Sequence, residues 1–182
     1  MYEVRFHGRG GQGAVTAANI LAAAAFIEGK KVQAFPMFGV ERRGAPVMAF
    51  LRLDEKPIVT RTQVYTPDAV VVLDTTLIQV VNITAGLKDG GVLVLNSTKH
   101  PSEFKYRGAR VFTVDATGIA VANRLGTATN PIVNTAILGA YSRAAGNIGM
   151  SAIERAIREN APIKTEENVR AAREAYEKTR GV

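Results

Sequence analysis

The chain has 182 residues, of which 47% are hydrophobic and 21% are charged, so it is long enough for one domain with a substantial core. This composition excludes intrinsic disorder. The chain contains no cysteine, which excludes disulfides, iron–sulfur ligation, thiolate zinc and a cysteine nucleophile within it. Two histidines are too few for a histidine-based metal cluster.

The net charge of +7 is compatible with several kinds of partner. An excess of basic residues favours binding to nucleic acid, phosphorylated metabolites or acidic proteins. The basic residues are scattered and do not alternate with aromatic residues as on a base-stacking surface, so nucleic acid is disfavoured. No apolar run reaches the roughly 18–20 residues that cross a bilayer, and no signal-peptide pattern precedes Tyr2. We therefore expect a soluble, cytoplasmic protein with no membrane contact.

The first predicted elements are a strand, a tight loop and a helix. Tyr2–His7 alternates polar and apolar residues, four glycines follow within six positions, and Ala14–Ile27 is rich in alanine, isoleucine and leucine. Glu28 and Gly29 predict the end of this helix. Lys31–Phe35 is predicted as a second strand.

The middle of the chain predicts further strands. Val47–Leu53 and Ile58–Val64 are expected to form a hairpin, joined by turn residues at Asp54–Pro57. Three short runs are predicted as strands, and the first two have the composition of strands buried on both faces: Ala69–Leu73, Val92–Leu95 and Arg110–Val114. Leu77–Leu87 is predicted as a helix.

The last third of the chain is predicted to be helical. The predicted helices are Ile119–Leu125, Val133–Ala145, Ala152–Asn160 and Glu166–Lys178. Ser151 and Glu154 have the spacing of a capping box at the third of them. Strands that alternate with helices predict an α/β fold, a Rossmann-like, mostly parallel sheet with flanking helices and an inserted β-hairpin. Because no repeat or flexible linker interrupts the chain, residues 1–182 are expected to form a single domain.

The glycine-rich loop is the main candidate for a binding site. Gly8, Gly10 and Gly13 fit the pattern G-x-G-x-x-G between a strand and a helix. Glycines permit the tight turn and let an anion approach the first amide groups of the helix. A turn that serves only strand–helix packing remains an alternative, although the polar side chains of Arg9 and Gln12 are not needed for such a turn.

Two common functions of this pattern can be tested on the neighbouring residues. A P-loop needs Lys and Ser or Thr directly after Gly13, where Ala14 and Val15 stand, so NTP hydrolysis is disfavoured. A dinucleotide site needs an acidic residue roughly 20 positions on, at the end of the second strand. Because Gln33–Phe35 occupies that region, NAD binding is also disfavoured.

A second loop, residues 36–46, follows the second strand and should lie at the same edge of the sheet as the glycine loop. Arg42 and Arg43 could bind phosphate or carboxylate through their forked guanidinium groups. A solvated turn, or an ion pair with Glu41, is an equally open alternative.

Several polar residues stand at the ends of predicted elements. Asn134 and Thr135 open a helix, where they either cap it, which is the favoured role, or reach a ligand. His7 is expected to be a hydrogen-bonded structural histidine. Asp74 and Asp115 end predicted strands, where they either line a ligand crevice or cap the helix that follows.

Four segments together resemble the gamma subunits of the 2-oxoacid:ferredoxin oxidoreductases. These segments are His7–Gly13, Phe38–Gly44, Pro67–Asp74 and Asn134–Ala140. The resemblance extends from Tyr2 to about residue 178, and the run Val40–Pro46 is most similar to the pyruvate-type branch.

The resemblance implies a multisubunit enzyme that converts pyruvate, coenzyme A and oxidised ferredoxin to acetyl-CoA, carbon dioxide and reduced ferredoxin. Thiamine diphosphate, Mg²⁺ and 4Fe–4S clusters would lie on alpha, beta and delta subunits, so this chain would hold no cofactor and no catalytic residue. It would support coenzyme A binding and assembly, with the anion-binding role on Gly8, Arg9, Gly10, Gly11, Gln12, Gly13, Arg42 and Arg43. The alternatives are a standalone nucleotide-binding module and a purely structural subunit, and the choice of 2-oxoacid stays open.

Overall fold

A computed structural model describes residues 1–37 and 44–182 of the chain. Its strands are β1 (Tyr2–Arg9), β2 (Lys31–Pro36), β3 (Pro46–Asp54), β4 (Ala69–Val72), β5 (Gly91–Asn96), β6 (Ala109–Val114), β7 (Gly126–Thr127), β8 (Asn130–Pro131) and β9 (Arg180–Gly181). Seven of them form one sheet in the order β2-β3-β1-β4-β5-β6-β9, and β7 pairs with β8 in a separate two-stranded ribbon.

The sheet has a parallel centre and antiparallel margins. β1, β4, β5 and β6 are parallel neighbours, whereas β3 runs antiparallel between β1 and β2, and β9 runs antiparallel beside β6. All four residues of β4 are fully buried, as its apolar sequence predicts for a central parallel strand. The predicted α/β class with a mostly parallel sheet is confirmed.

The hairpin lies at a different place from the one predicted. β2 and β3 form it, whereas the predicted strand Ile58–Val64 is wrong because this segment has no strand structure. Both edges of β3 are already paired, one with β1 and one with β2, so no edge is left for the following segment. That segment instead packs beside the sheet, where the carbonyl oxygen of Gln63 accepts a hydrogen bond from Arg52.

The helices are α1 (Ala14–Ile27), α2 (Ala116–Ala122), α3 (Ala136–Ala145), α4 (Met150–Asn160) and α5 (Thr165–Lys178). They agree with five predicted helices to within a few residues. The predicted capping box is wrong, because α4 begins after Gly149 with no side-chain cap, and Ser151 lies inside its first turn. The Glu154 carboxylate instead pairs with Arg173 at 2.8 Å.

The predicted helix Leu77–Leu87 is also wrong. A short 3₁₀ helix, Thr75–Gln79, is followed by turns. Four of the five residues from Val80 to Thr84 are β-branched, which disfavours an α-helix, and Gly86 has a φ of +71°.

The two faces of the sheet are covered differently. Helices α1, α3, α4 and α5 build the large core on one face, where side chains such as Phe6, Leu51 and Ile137 are fully buried. The other face carries a smaller core around Val70, Val72 and Leu93, covered by turns rather than by long helices. Among the helices in residues 1–37 and 44–182, none is long and apolar enough to span a membrane.

Candidate functional site at the carboxyl end of the sheet

The glycine-rich loop joins the end of β1 to the start of α1, as predicted, but it is shorter than predicted because Gly8 and Arg9 belong to β1 and pair with β3. Gly13 caps α1 in a left-handed conformation, with φ +81°, and no side chain of the described residues caps the helix. The first backbone hydrogen bond of the helix runs from the Ala17 amide to the Gly13 carbonyl oxygen. The amide groups of the first turn, which have no partner inside a helix, can therefore bind an anion together with the positive end of the helix dipole.

Two glycines of the loop have conformations that other residues rarely adopt. Gly11 has a φ of +95°, and in residues 1–37 and 44–182 no heavy atom beyond Gly11 and its chain neighbours lies within 4 Å of the position that a Cβ would occupy. At Gly13 a Cβ would lie 2.6 Å from Nδ2 of Asn134, so this backbone and the Asn134 side chain are in close contact. Gly11 thus leaves open space on the loop, and Gly13 brings helix α1 next to Asn134.

Arg9 and Gln12 use their side chains for hydrogen bonds within the chain. The Arg9 Nε donates to Oδ2 of Asp74 at 3.1 Å, and its other nitrogens donate to Thr76 Oγ1 at 2.8 Å and the Gly44 carbonyl at 3.0 Å. Gln12 Nε2 donates to the same Asp74 oxygen at 3.0 Å, while Gln12 Oε1 accepts the Arg9 amide at 2.7 Å. We call Arg9, Gln12, Asp74 and Thr76 the loop network, because these bonds fix the turn between β1 and α1.

Asp74 is the acceptor on which the loop network depends. Burial by itself would raise the pKa of its carboxyl group, but hydrogen bonds from Thr76 and Gln12 and the charge of Arg9 hold that pKa below its usual value. Asp74 also caps the 3₁₀ helix by accepting the Thr76 amide at 2.9 Å. It thus combines a capping role with a position at the candidate site.

The described end of the second loop, Gly44 and Ala45, lies at the same sheet edge as the glycine loop. The Gly10 amide donates to the Ala45 carbonyl at 2.9 Å, and the Gly44 amide donates to the Gly10 carbonyl at 3.1 Å. Arg42 and Arg43 lie outside the described residues, so their predicted phosphate contacts stay a prediction. The described end of the loop is nevertheless hydrogen-bonded directly to the glycine loop.

His7 has the structural role that the sequence predicts. Its side chain is buried, and its Nε2 accepts a 3.0 Å hydrogen bond from Arg5 Nε. Burial, followed by the charge of Arg5, lowers the pKa of His7 to about 4. The ring is therefore neutral near pH 7.

Helix capping accounts for Asp115 but not for Asn134 and Thr135. Asp115 caps α2 by accepting the Gly118 amide at 2.8 Å. The predicted capping by Asn134 and Thr135 is wrong, because α3 has no side-chain cap. Instead, Asn134 Oδ1 accepts the neighbouring Thr135 amide at 2.8 Å, and Thr135 Oγ1 donates to Asn168 at 2.7 Å.

A cavity of about 400 Å³ lies beside the glycine loop, and the sequence does not predict it. We call it the α1–α5 cavity, because helix α1, the β7–β8 ribbon and the segment before α5 surround it. Its lining includes Thr16, Ile20, Leu125, Ile132, Asn134 and Ile163. These residues come from separate segments with no shared motif, so only the tertiary fold reveals them.

The described residues offer little for a metal. Within residues 1–37 and 44–182 there is no group of three histidine, aspartate or glutamate side chains placed to hold a metal ion. The site can bind an anion at the start of α1 and an uncharged group in the adjoining cavity.

The known proteins to which this chain is similar agree with one another. A family model described as pyruvate ferredoxin/flavodoxin oxidoreductase matches residues 3–178. The chain is 58% identical to the pyruvate/ketoisovalerate oxidoreductases common subunit gamma of Pyrococcus furiosus, over 98% of this chain and 97% of that protein. It is 56% identical to pyruvate synthase subunit PorC of Methanothermobacter thermautotrophicus, over 97% of this chain and 95% of that subunit. The crystal structure of pyruvate oxidoreductase subunit PORC from Thermotoga maritima matches with a TM-score of 0.83 and 37% identity, over 99% of this chain and 97% of that one.

Proposed function

Because the chain belongs to the pyruvate ferredoxin/flavodoxin oxidoreductase family, we propose that it is the gamma subunit of a pyruvate:ferredoxin oxidoreductase. Family membership confirms the resemblance found in four sequence segments. The proposed reaction of the assembled enzyme is oxidative decarboxylation of pyruvate with coenzyme A to acetyl-CoA, carbon dioxide and reduced ferredoxin. The observation that carries the proposal is the 58% identity, over 98% of this chain, to a gamma subunit that its name describes as common to pyruvate and ketoisovalerate oxidoreductases.

The cofactors of such an enzyme fit partner subunits better than this chain. A 4Fe–4S cluster needs thiolate ligands, and the sequence has no cysteine. Thiamine diphosphate is bound through a metal by a Gly-Asp-Gly…Asn-Asn stretch in such enzymes, and the sequence contains no such stretch. We therefore assign thiamine diphosphate, Mg²⁺ and the clusters to the alpha, beta and delta subunits, and ferredoxin contact to the assembled complex in the cytoplasm.

The proposed contribution of this chain is to hold the phosphate end of coenzyme A. Coenzyme A carries a pyrophosphate and a 3′-phosphate, and the uncapped start of α1 together with the open space at Gly11 suits an anion. Because the side chains of Arg9 and Gln12 are engaged in the loop network, we assign them a positioning role. The amides of Gly10 and Gln12 donate to the carbonyl oxygens of Ala45 and Arg9, so the phosphate contacts would come from the amides of Gly11, Gly13 and the first turn of α1, and from Arg42 and Arg43.

One observation favours a second candidate, a purely structural subunit. Arg9 and Gln12, the polar side chains that a mere packing turn would not need, make their hydrogen bonds inside the chain. In that case the glycine loop would fit against a partner subunit and would not contact coenzyme A.

Purification from native cells tests assembly. A tagged copy of this chain should recover larger subunits that carry thiamine diphosphate and iron–sulfur clusters, together with pyruvate- and coenzyme A-dependent ferredoxin reduction. Recovery of a lone monomer from cells that contain this activity would contradict the proposal and favour a standalone nucleotide-binding module.

Calorimetry on the assembled complex separates a coenzyme A-binding role of this chain from a purely structural role. Arg42→Ala and Arg43→Ala should each weaken coenzyme A binding by about tenfold, as expected for loss of a charge-assisted contact to phosphate. Arg107→Ala is a matched control, because this exposed arginine precedes β6 and lies at the opposite edge of the sheet. Unchanged affinity in both loop variants, with the complex intact, would favour the structural role.

A further inference from the structure

The face of the sheet opposite α1 is covered by three irregular segments, residues 55–68, 75–90 and 97–108, and we call it the turn-covered face. We propose that this face binds a partner subunit whose contact surface is apolar at its centre and acidic at its margin. The inference rests on the proposed function, because an assembled oxidoreductase supplies such a subunit. It states which side of the chain assembly buries.

Two buried arginines hold the covering segments against the sheet. Arg5 and Arg52 alternate along β1 and β3 with residues of the large core, so their side chains point to the turn-covered face. Arg5 donates to the carbonyl oxygens of Ile83 at 3.0 Å and Ala85 at 2.6 Å, and Arg52 donates to that of Gln63 at 3.1 Å. The surface is therefore formed before any partner binds, which reduces the entropy cost of association.

Large hydrophobic side chains project from the covering segments. Six such side chains in residues 1–37 and 44–182 are more than 60% exposed, and three of them lie here: Val59, Tyr65 and Val80. The first two segments are in direct contact, because a Cβ at Gly86 would clash with the Tyr65 carbonyl oxygen. Helices α3, α4 and α5, which the structure describes completely, expose no large hydrophobic side chain. Exposed apolar surface on one side of a chain is typical of a protein-binding site.

A hollow of about 390 Å³ lies between the second and third covering segments. Val80 and Val81 line it together with Ile78, Ile83 and Tyr106, and the smaller core lies beneath it. Hollows with apolar walls accept the large anchoring side chains on which most of the binding energy of an interface depends. We expect the partner subunit to insert one aromatic or aliphatic side chain here.

The charges on the two sides of the molecule differ. Residues 150–178, which include α4 and α5, contain six acidic and six basic residues, and ion pairs such as Glu154 with Arg173 join the two helices. The three covering segments contain six basic and four acidic residues. Two of these basic residues, Arg61 and Lys105, are exposed and form no ion pair with the residues that the structure describes. The turn-covered face therefore has an excess of unpaired positive charge.

Two of the four carboxylates on this face are already engaged. Asp68 pairs with Lys88 at 2.7 Å, and Glu103 accepts the His100 amide at 2.9 Å. A partner with carboxylates at its margin would complement the remaining cations. The apolar hollow favours a protein over nucleic acid, because a phosphate backbone would supply charge but no side chain to fill the hollow.

Hydroxyl-radical footprinting of the purified complex and of the free full-length chain tests the buried face without any substitution. Tyr65 and Phe26 are a matched pair of aromatic side chains, since they are 67% and 68% exposed and Phe26 lies on α1, which covers the other face of the sheet. Oxidation of Tyr65 should fall by about fivefold or more on assembly, as expected for burial inside an interface, whereas oxidation of Phe26 should not change.

Substitutions in a tagged chain purified from native cells test the hollow and the charges separately. Val80→Asp places a carboxylate at the hollow, and Arg61→Glu combined with Lys105→Glu reverses two charges. Each change should lower the recovery of partner subunits at low salt by about tenfold or more. Raising the salt concentration should weaken recovery by the unaltered chain and bring it closer to that of the charge-reversed chain.

Two control variants change equally exposed positions on the helices. Phe26→Ser removes an exposed aromatic side chain from α1, and Arg170→Glu reverses an exposed charge on α5. Recovery of partner subunits by both control variants should equal that of the unaltered chain. Circular dichroism and urea unfolding of each full chain establish that the variants fold.

The outcomes separate this inference from the proposed function. If the unaltered chain recovers no partner subunit, the proposed function is wrong and the inference falls with it. If it recovers the subunits while Tyr65 stays as reactive as in the free chain, or while Val80→Asp and the charge-reversed chain assemble normally, the inference alone is wrong.

Three further results would overturn the inference by assigning the face to another occupant. Protection of Tyr65 in the isolated chain that disappears on dilution would indicate a second copy of this chain. Normal assembly of the charge-reversed chain with a raised KM for ferredoxin would indicate the electron acceptor. Protection of Tyr65 that nuclease treatment removes would indicate nucleic acid.

Discussion

Acidification to about pH 4.5 should destabilise the folded chain through one residue, His7. The ring is 2% exposed, and its Nε2 accepts the hydrogen bond from Arg5 Nε. Burial and the charge of Arg5 lower the pKa of His7 from 6.5 to about 4. A proton on Nε2 would remove the acceptor and place a second cation beside the guanidinium group.

The sign and size of the effect follow from this difference in pKa. The unfolded chain, in which His7 has its ordinary pKa of about 6.5, binds the proton first, so the free energy of unfolding falls as pH falls below that value. Each pKa unit corresponds to about 1.4 kcal/mol, so a folded-state pKa of about 4 makes the full loss about 3 kcal/mol. Most of this loss should occur above pH 4.5, where carboxylates such as that of Asp74, with an ordinary pKa of 3.8, are still mostly ionised in the unfolded chain as well.

Urea unfolding at closely spaced pH values between about 7 and 4.5 measures this loss. His7→Gln keeps an acceptor for Arg5 but does not titrate, so its free energy of unfolding should be nearly constant over this range. His100→Gln should retain the pH dependence of the free energy of unfolding, because His100 is exposed. An NMR titration that places the pKa of His7 near 6.5, or an unchanged pH dependence in His7→Gln, would refute the reasoning.

Three substitutions test the geometry around the site. Asp74→Ala removes the shared acceptor of Arg9 and Gln12, so the free energy of unfolding should fall by about 1–2 kcal/mol, a value reduced by the partial exposure of Arg9. Coenzyme A binding measured by calorimetry should weaken too, and an unaltered affinity would mean that the loop network does not position the site. Gly13→Ala places a Cβ 2.6 Å from the Asn134 amide at a φ of +81°. The free energy of unfolding in urea should therefore fall by about 1–3 kcal/mol, and wild-type stability would contradict this. Gly139→Ala places a Cβ against the Ala172 carbonyl of α5, so a loss of about 1–3 kcal/mol is expected, and a thermal midpoint within error of the unaltered chain would count against this packing.

The parts of the site that the sequence predicts depend on local chemistry. The β1–loop–α1 unit is confirmed because a strand pattern, left-handed glycines and an alanine-rich helix all lie within 26 consecutive residues, Tyr2–Ile27. The sequence also places Asp74 at the end of a strand, but its partners Arg9 and Gln12 are more than sixty residues away. Sequence spacing therefore predicts the loop, while the side-chain network that fixes it follows only from the fold.

The wrong predictions of secondary structure have a different origin. Ile58–Val64 has strand-like composition, but composition cannot tell that β2 and β1 already occupy both edges of β3. Leu77–Leu87 has enough apolar residues for a helix. In the structure these side chains cover one face of the sheet, but the backbone that carries them forms turns. The α1–α5 cavity combines residues from distant segments, so it is a property of tertiary packing alone.

The direction of β3 explains why two loops meet at the candidate site. β3 runs antiparallel to β1, and Pro46 at its start is paired with Arg9 at the end of β1. A parallel strand in this position would have begun at the opposite edge of the sheet and carried Gly44 and Ala45 away from Gly10. Because the hairpin returns beside β1, the described end of the loop lies against the glycine loop, where Gly10 bonds to both Gly44 and Ala45. Any role of Arg42 and Arg43 in anion binding therefore depends on this antiparallel insertion, and lengthening the loop between β2 and β3 should weaken coenzyme A binding while leaving the helical face of the sheet intact.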